Sequence, residues 1–99
     1  MPPKNGYLSL LRELILNEFK NEKIKVVLFG SRARGDQSST SDIDIGLLPS
    51  KEIDTNKLTL LRERIEKLNI PYKIDLVNLF ETDEAFRKEV LKDAVIWKE

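Results

Sequence analysis

The feature that most restricts the fold of this chain is a pair of aspartates set into an apolar, strand-like run. Ser41-Asp42-Ile43-Asp44-Ile45 opens one such segment, Ile43 to Leu48, and an earlier one, Ile24 to Phe29, runs straight into Gly30-Ser31. Both segments are short and carry β-branched residues, as largely buried strands do. Residues two apart on a strand share a face, with Cα atoms roughly 7 Å apart, so Asp42 and Asp44 project together. A turn following Ser and Thr would account for Asp42 alone. Asp44, inside Ile-Asp-Ile, must be paired, face solvent or hold a metal. Two acids aimed at one point raise each other's pKa unless positive charge sits between them. A divalent cation with hard oxygen ligands, Mg²⁺ first among them, meets that need. Gly30 lets a ligand approach the backbone, and a helix starting at Ser31 would offer phosphate free N–H groups and a positive dipole end. The plainer reading of Ser31 is an ordinary N-cap. The fuller one is a nucleoside triphosphate held between a Gly-Ser turn and a metal-binding aspartate pair.

Composition narrows the chemistry further. The 99 residues include no cysteine and no histidine. That excludes disulfides, thiolate metal sites, cysteine nucleophiles, Ser-His-Asp triads and histidine bases, so acid–base or metal chemistry must rest on carboxylates. Seventeen basic residues balance seventeen acidic ones, so no overall field recruits nucleic acid, and direct nucleic-acid binding is not expected. No apolar run approaches the ~20 residues of a membrane span, and Met1-Pro2-Pro3-Lys4 does not resemble a signal peptide. The expectation is one cytoplasmic domain covering residues 1–99 and no membrane partner.

In chain order, Leu8, Leu11, Leu14, Ile15 and Phe19 recur at three- and four-residue steps and predict an amphipathic helix from Tyr7 to near Lys20. Ile24 to Phe29 follows as a strand. Ser31 to Gly35 is expected to begin a short helix, and Asp36 to Ser41 to form a polar loop. After the strand Ile43 to Leu48, Asp54 or Thr55 can cap a helix striped with Leu58, Leu61, Ile65 and Leu68. Its Arg62 to Lys67 segment reads as a solvated face. Tyr72 to Leu79 makes a third strand, carrying Asp75. A last helix starts around Thr82-Asp83-Glu84. Phe86, Val90 and Leu91 are expected to face inward there, with Val95-Ile96-Trp97 as a short extended tail. Helices alternating with strands give a small α/β sheet packed with helices; periodicity does not give the strand directions.

Gly30-Ser31, ten residues, then Asp42-x-Asp44, with a later hydrophobic-Asp-hydrophobic strand at Asp75, resembles the signature of the DNA polymerase β-like nucleotidyltransferase superfamily. The fuller run GSRARGD…SDIDI resembles its minimal members, the MNT antitoxins of MNT–HEPN toxin–antitoxin pairs. The resemblance implies that superfamily's α+β fold with a mixed sheet. It implies Asp42, Asp44 and Asp75 as catalytic, metal-holding residues for two Mg²⁺ ions, with Gly30, Ser31 and Arg34 at the nucleotide and ATP as substrate. Arg32 in the same loop is left without a role.

From phosphoryl-transfer chemistry, Asp42 and Asp44 would serve the triphosphate and Asp75 the acceptor hydroxyl, whose proton it is placed to take. No second domain to grip an acceptor is read in the sequence, so the acceptor is expected to be gripped by another chain or by a self-associated copy. Of these the resemblance implies another chain, a HEPN RNase toxin, silenced in a hetero-oligomer by AMP placed on a hydroxyl, with tyrosine favoured. Two alternatives stay open: an antitoxin that only blocks its toxin sterically, and a transferase acting on a small molecule or RNA end.

Overall fold

The computed structural model describes residues 6–30, 33 and 42–99. Its elements are α1 (Gly6–Glu18), β1 (Ile24–Phe29), β2 (Ile43–Pro49), α2 (Thr55–Lys67), β3 (Ile74–Asn78), a 3₁₀ turn (Leu79–Glu81), α3 (Glu84–Lys92) and β4 (Val95–Lys98). The strands form one sheet in the order β3-β2-β1-β4. β1 runs antiparallel to both β2 and β4, and β2 runs parallel to β3, so the sheet is mixed as expected. Of the helix expected over Ser31 to Gly35, only Ala33 is described; it is helical, and its N–H donates to Gly30 O at 3.1 Å.

Alternation along the strands divides the core in two. On one face Val26 and Leu28 of β1, Ile43, Ile45 and Leu47 of β2 and Leu76 of β3 meet Leu11, Ile15 and Phe19 from the α1 segment and Leu58, Leu61 and Ile65 from α2. This is the larger core. Arg64 of α2 pairs with Glu18 at 2.6 Å, and Lys57 pairs with Glu22 while its ammonium lies 5.0 Å from the centre of the Phe19 ring. The expected solvated face is therefore partly engaged. Arg62 is as well: its Nη2 donates to the Leu76 carbonyl of the outer strand at 3.0 Å. On the opposite face Val27, Leu79 and Val90 make a much smaller cluster, with Phe29, Leu48, Val77, Leu91 and Ala94 packed against it. The 3₁₀ turn presses close there. A Cβ on Gly46 would stand 2.8 Å from Leu79 Cδ1 and 3.0 Å from Val27 Cγ2.

Element ends follow their capping chemistry. Asp54 caps α2 by accepting from the Asn56 N–H at 2.8 Å, and α2 gives way to Asn69 at φ 53°, a conformation that asparagine tolerates. Asp83, rather than Thr82, caps α3, accepting from the Phe86 N–H at 2.7 Å. Thr82 instead turns its hydroxyl back to the Leu79 carbonyl at 2.8 Å.

Two expectations are corrected. The tail at Val95 is a true fourth strand on the far edge of β1, held also by Lys98 Nζ donating to Glu22 O at 2.9 Å. Phe86 does not face inward with Val90 and Leu91 but stands 43% exposed. The stripe on α3 is real, but the face beneath it is too small to cover all three.

Candidate active site

The strand register fixes the site. β2 and β3 pair in parallel so that Asp44 lies directly beside Asp75, between the flanking pairs Ile43 with Ile74 and Ile45 with Leu76. Flanking residues point into the large core, so both aspartates project from the opposite, thinly covered face. Asp44 is half-buried, whereas Asp42 and Asp75 are exposed. Antiparallel pairing on the other side of β2 sets Phe29 opposite Asp44, which delivers Gly30 to the same point. Gly30 has φ +77°, and a Cβ there would lie 2.3 Å from Asp44 Oδ2. The main chain thus turns within touching distance of the carboxylate. Only glycine does this without displacing the acid.

Electrostatics follow from that crowding. Burial pushes the Asp44 carboxyl above the usual carboxylate range, and the neighbouring charges of Asp75 and then Asp42 push it further; the Lys73 ammonium pulls the other way. Lys73 holds a second connection to β2, since the Ile43 N–H donates to its carbonyl at 2.9 Å. Continuing the register by one residue puts Lys73 beside Asp42. The sequence reading missed this cation, although its place two residues before Asp75 puts it on the same strand face.

All three expected acids therefore act on one spot, though not as a closed ligand set: among the described residues no three acidic side chains stand ready to hold a metal as placed. Gly30 joins them. Ser31, Arg32 and Arg34 lie outside the described residues. The donor chemistry of the rest suits a hard divalent cation, with carboxylate oxygens only and an Asp44 that is unfavourable as an anion without a nearby positive charge. Beyond Asp75, a cleft of about 530 Å³ runs between α2 and the outer strand, lined in part by Arg62, Glu66 and Tyr72. On the other side, a smaller cleft of about 190 Å³ opens between Gly30 and α3.

Comparison with known families settles the lineage. Residues 13–99 match the family described as polymerase beta, nucleotidyltransferase. The chain belongs to that family. Among curated relatives is a Haemophilus influenzae protein named "Probable protein adenylyltransferase MntA", 30% identical over 71 residues, a match covering 72% of this chain and 62% of that protein. Among solved structures, a toxin–antitoxin complex with AMP-PNP matches with a TM-score of 0.66 at 24% identity, covering 88% of this chain and 72% of the other. A complex of a tri-AMPylated Shewanella oneidensis HEPN toxin with its MNT antitoxin matches with a TM-score of 0.63 at 19% identity, covering 91% and 71%. These structural likenesses establish the nucleotidyltransferase fold. Among the described residues no helix is long and apolar enough to cross a membrane.

Proposed function

We propose that this chain is a Mg²⁺-dependent protein adenylyltransferase that transfers AMP from ATP to a hydroxyl of a HEPN-type toxin partner in the cytoplasm. One observation carries the reading: Asp44 and Asp75 stand side by side on parallel strands, with the Gly30 turn closed against Asp44. An inert surface would gain nothing by crowding acids around the half-buried Asp44, whose carboxyl is pushed above the usual range by burial and by those neighbours. The relatives support the rest. The Haemophilus protein's name specifies adenylyl transfer to protein, and a matched complex holds an AMPylated HEPN toxin.

The chain's own groups divide the work. Gly30 presents its backbone where phosphate must pass close to Asp44, and Ser31 and Arg34, by their place in the sequence, would add a hydroxyl and a guanidinium to the phosphate contacts. Asp42, Asp44 and Asp75 would hold divalent ions, two in the full arrangement, which when bound neutralise phosphate charge and acidify the acceptor hydroxyl. Asp75, exposed at the outer strand, is placed to take the proton from that hydroxyl. The acceptor oxygen forms its bond to the α-phosphorus, the bond from that phosphorus to the bridging oxygen breaks, and pyrophosphate leaves with the electron pair. A tyrosine hydroxyl is the favoured acceptor.

The test is the intact mass of the partner toxin, co-purified and incubated with this protein, Mg²⁺ and each nucleoside triphosphate in turn. A gain of one or more whole AMP units, absent with Asp42→Asn/Asp44→Asn, is the expected result. A tight complex with no gain from any nucleotide would replace transfer with neutralisation by simple blockade.

A further inference from the structure

The cleft on the Gly30 side has a composition that selects what can occupy it. Its lining is Phe29, Gly30, Phe86, Glu89, Val90 and Asp93. Phe86, Glu89 and Val90 share one stripe of α3, and Asp93, the residue that ends the helix, extends it over the end of β1. Val90 is buried in the smaller core and forms the floor, whereas the Phe86 ring stands at the rim, 43% exposed. The main chain at Phe86 is held by the helix cap, its N–H donating to Asp83 Oδ1 at 2.7 Å. At about 190 Å³ the cleft is well below the roughly 300–1,000 Å³ of sites that enclose a whole drug-sized ligand. It fits one flat moiety of a larger molecule.

Charge indicates which moiety. Two carboxylates at the cleft repel phosphate but accept hydrogen bonds from amino groups. An aromatic face beside them offers stacking to any base. We infer that this cleft is the nucleobase subsite of the transferase, with Phe86 stacking on the base and Glu89 and Asp93 accepting from an exocyclic amine. The inference rests on the reading of Gly30, Asp44 and Asp75 as the nucleotide site, and it supplies what the sequence did not, a means of reading the base. The α-phosphate then lies at Asp44 of β2, with the ribose and base branching from it toward α3, pyrophosphate leaving along the Gly30 turn, and the acceptor entering opposite it from the side of Asp75 on β3. Six-amino purines are favoured over six-oxo purines, whose O6 would meet acceptors only.

The experiment measures equilibrium binding, in Mg²⁺, of ATP, ITP and inorganic tripolyphosphate to the wild type, Phe86→Ala and Phe86→Trp, without any acceptor. ITP differs from ATP in carrying oxygen where adenine has its amine. Phe86→Ala is expected to weaken ATP roughly tenfold or more and leave tripolyphosphate unchanged, Phe86→Trp to restore ATP, and ITP to bind the wild type more weakly than ATP. Equal ATP affinity for wild type and Phe86→Ala, or equal loss of ATP and tripolyphosphate, overturns the stacking role. ITP as tight as ATP overturns the acid pair's role. If the wild type binds tripolyphosphate but ATP no tighter, the base subsite falls while the phosphate site stands. If it binds neither, the transferase reading fails first.

Discussion

Gly30 is the residue where backbone geometry and chemistry coincide. In Gly30→Ala the new methyl would meet Asp44 Oδ2 at 2.3 Å, at a φ that side chains rarely adopt. The carboxylate must swing away, and the turn is strained by about 1–2 kcal/mol. Transfer should fall by at least tenfold while the protein stays folded, which turnover and a urea midpoint measured together would show. Asp44 makes the opposite case. Its folded pKa is raised, so between the ordinary carboxylate value near 3.9 and that raised value the folded state binds more protons than the unfolded chain. Stability of the metal-free protein therefore falls as pH rises through this window and stays lower above it. Asp44→Asn removes the penalty. In EDTA at neutral pH its melting temperature should equal or exceed that of the wild type, the difference should vanish in acid, and transfer should be lost. A wild type that melts higher at neutral pH than the variant would show that the crowding is not destabilising.

Among the elements, the strands were the most legible in the sequence. Ile24–Phe29 and Ile43–Pro49 fall within a residue of the apolar runs that announced them, and the faces of α1 and α2 match their stripes. Three- and two-residue periodicities report that a face will be buried. They do not report how much surface awaits it, which is why the stripe predicts Phe86 inside and Val95-Ile96-Trp97 only as an extended tail, where the structure exposes Phe86 and pairs Val95–Lys98 as a strand. The parallel pairing that joins Asp44 to Asp75 was likewise invisible, because it depends on contacts 31 positions apart. The acids themselves were legible, since a carboxylate between two isoleucines is a local contradiction. The Gly46 contact belongs to this scale. In Gly46→Ala a methyl must be wedged between Leu79 and Val27, and the overpacking should cost about 1–3 kcal/mol by urea denaturation. Leu79→Ala made alongside should recover part of that loss, because it vacates the same space.

Across the whole molecule, stability and activity are drawn from different sides of one sheet. Phe19, fully buried between α1, α2 and the strands, is expected to cost about 3–5 kcal/mol on truncation to alanine. That is a large part of what a domain of 99 residues has, so Phe19→Ala should melt far below the wild type whether or not Mg²⁺ and ATP are present. β4 serves a further purpose. It pairs with β1, and ending the chain at Asp93 would leave β1 as an open edge with unpaired N–H and carbonyl groups. Size-exclusion chromatography of that truncation should show more self-association than the full chain at the same concentration.

The alternation of β2 has one more consequence, for folding rather than for catalysis. Asp44 and Ile45 are neighbours that point to opposite faces, so sliding β2 by a single residue against its partners would exchange their places. Asp42 and Asp44 would then be driven among Val26, Leu28 and Leu61, where an unpaired charge costs several kcal/mol, and the isoleucines would be left in water. The acids thus proofread the assembly: a chain that closes its sheet out of step is rejected by the same charges that, closed in step, give it a site.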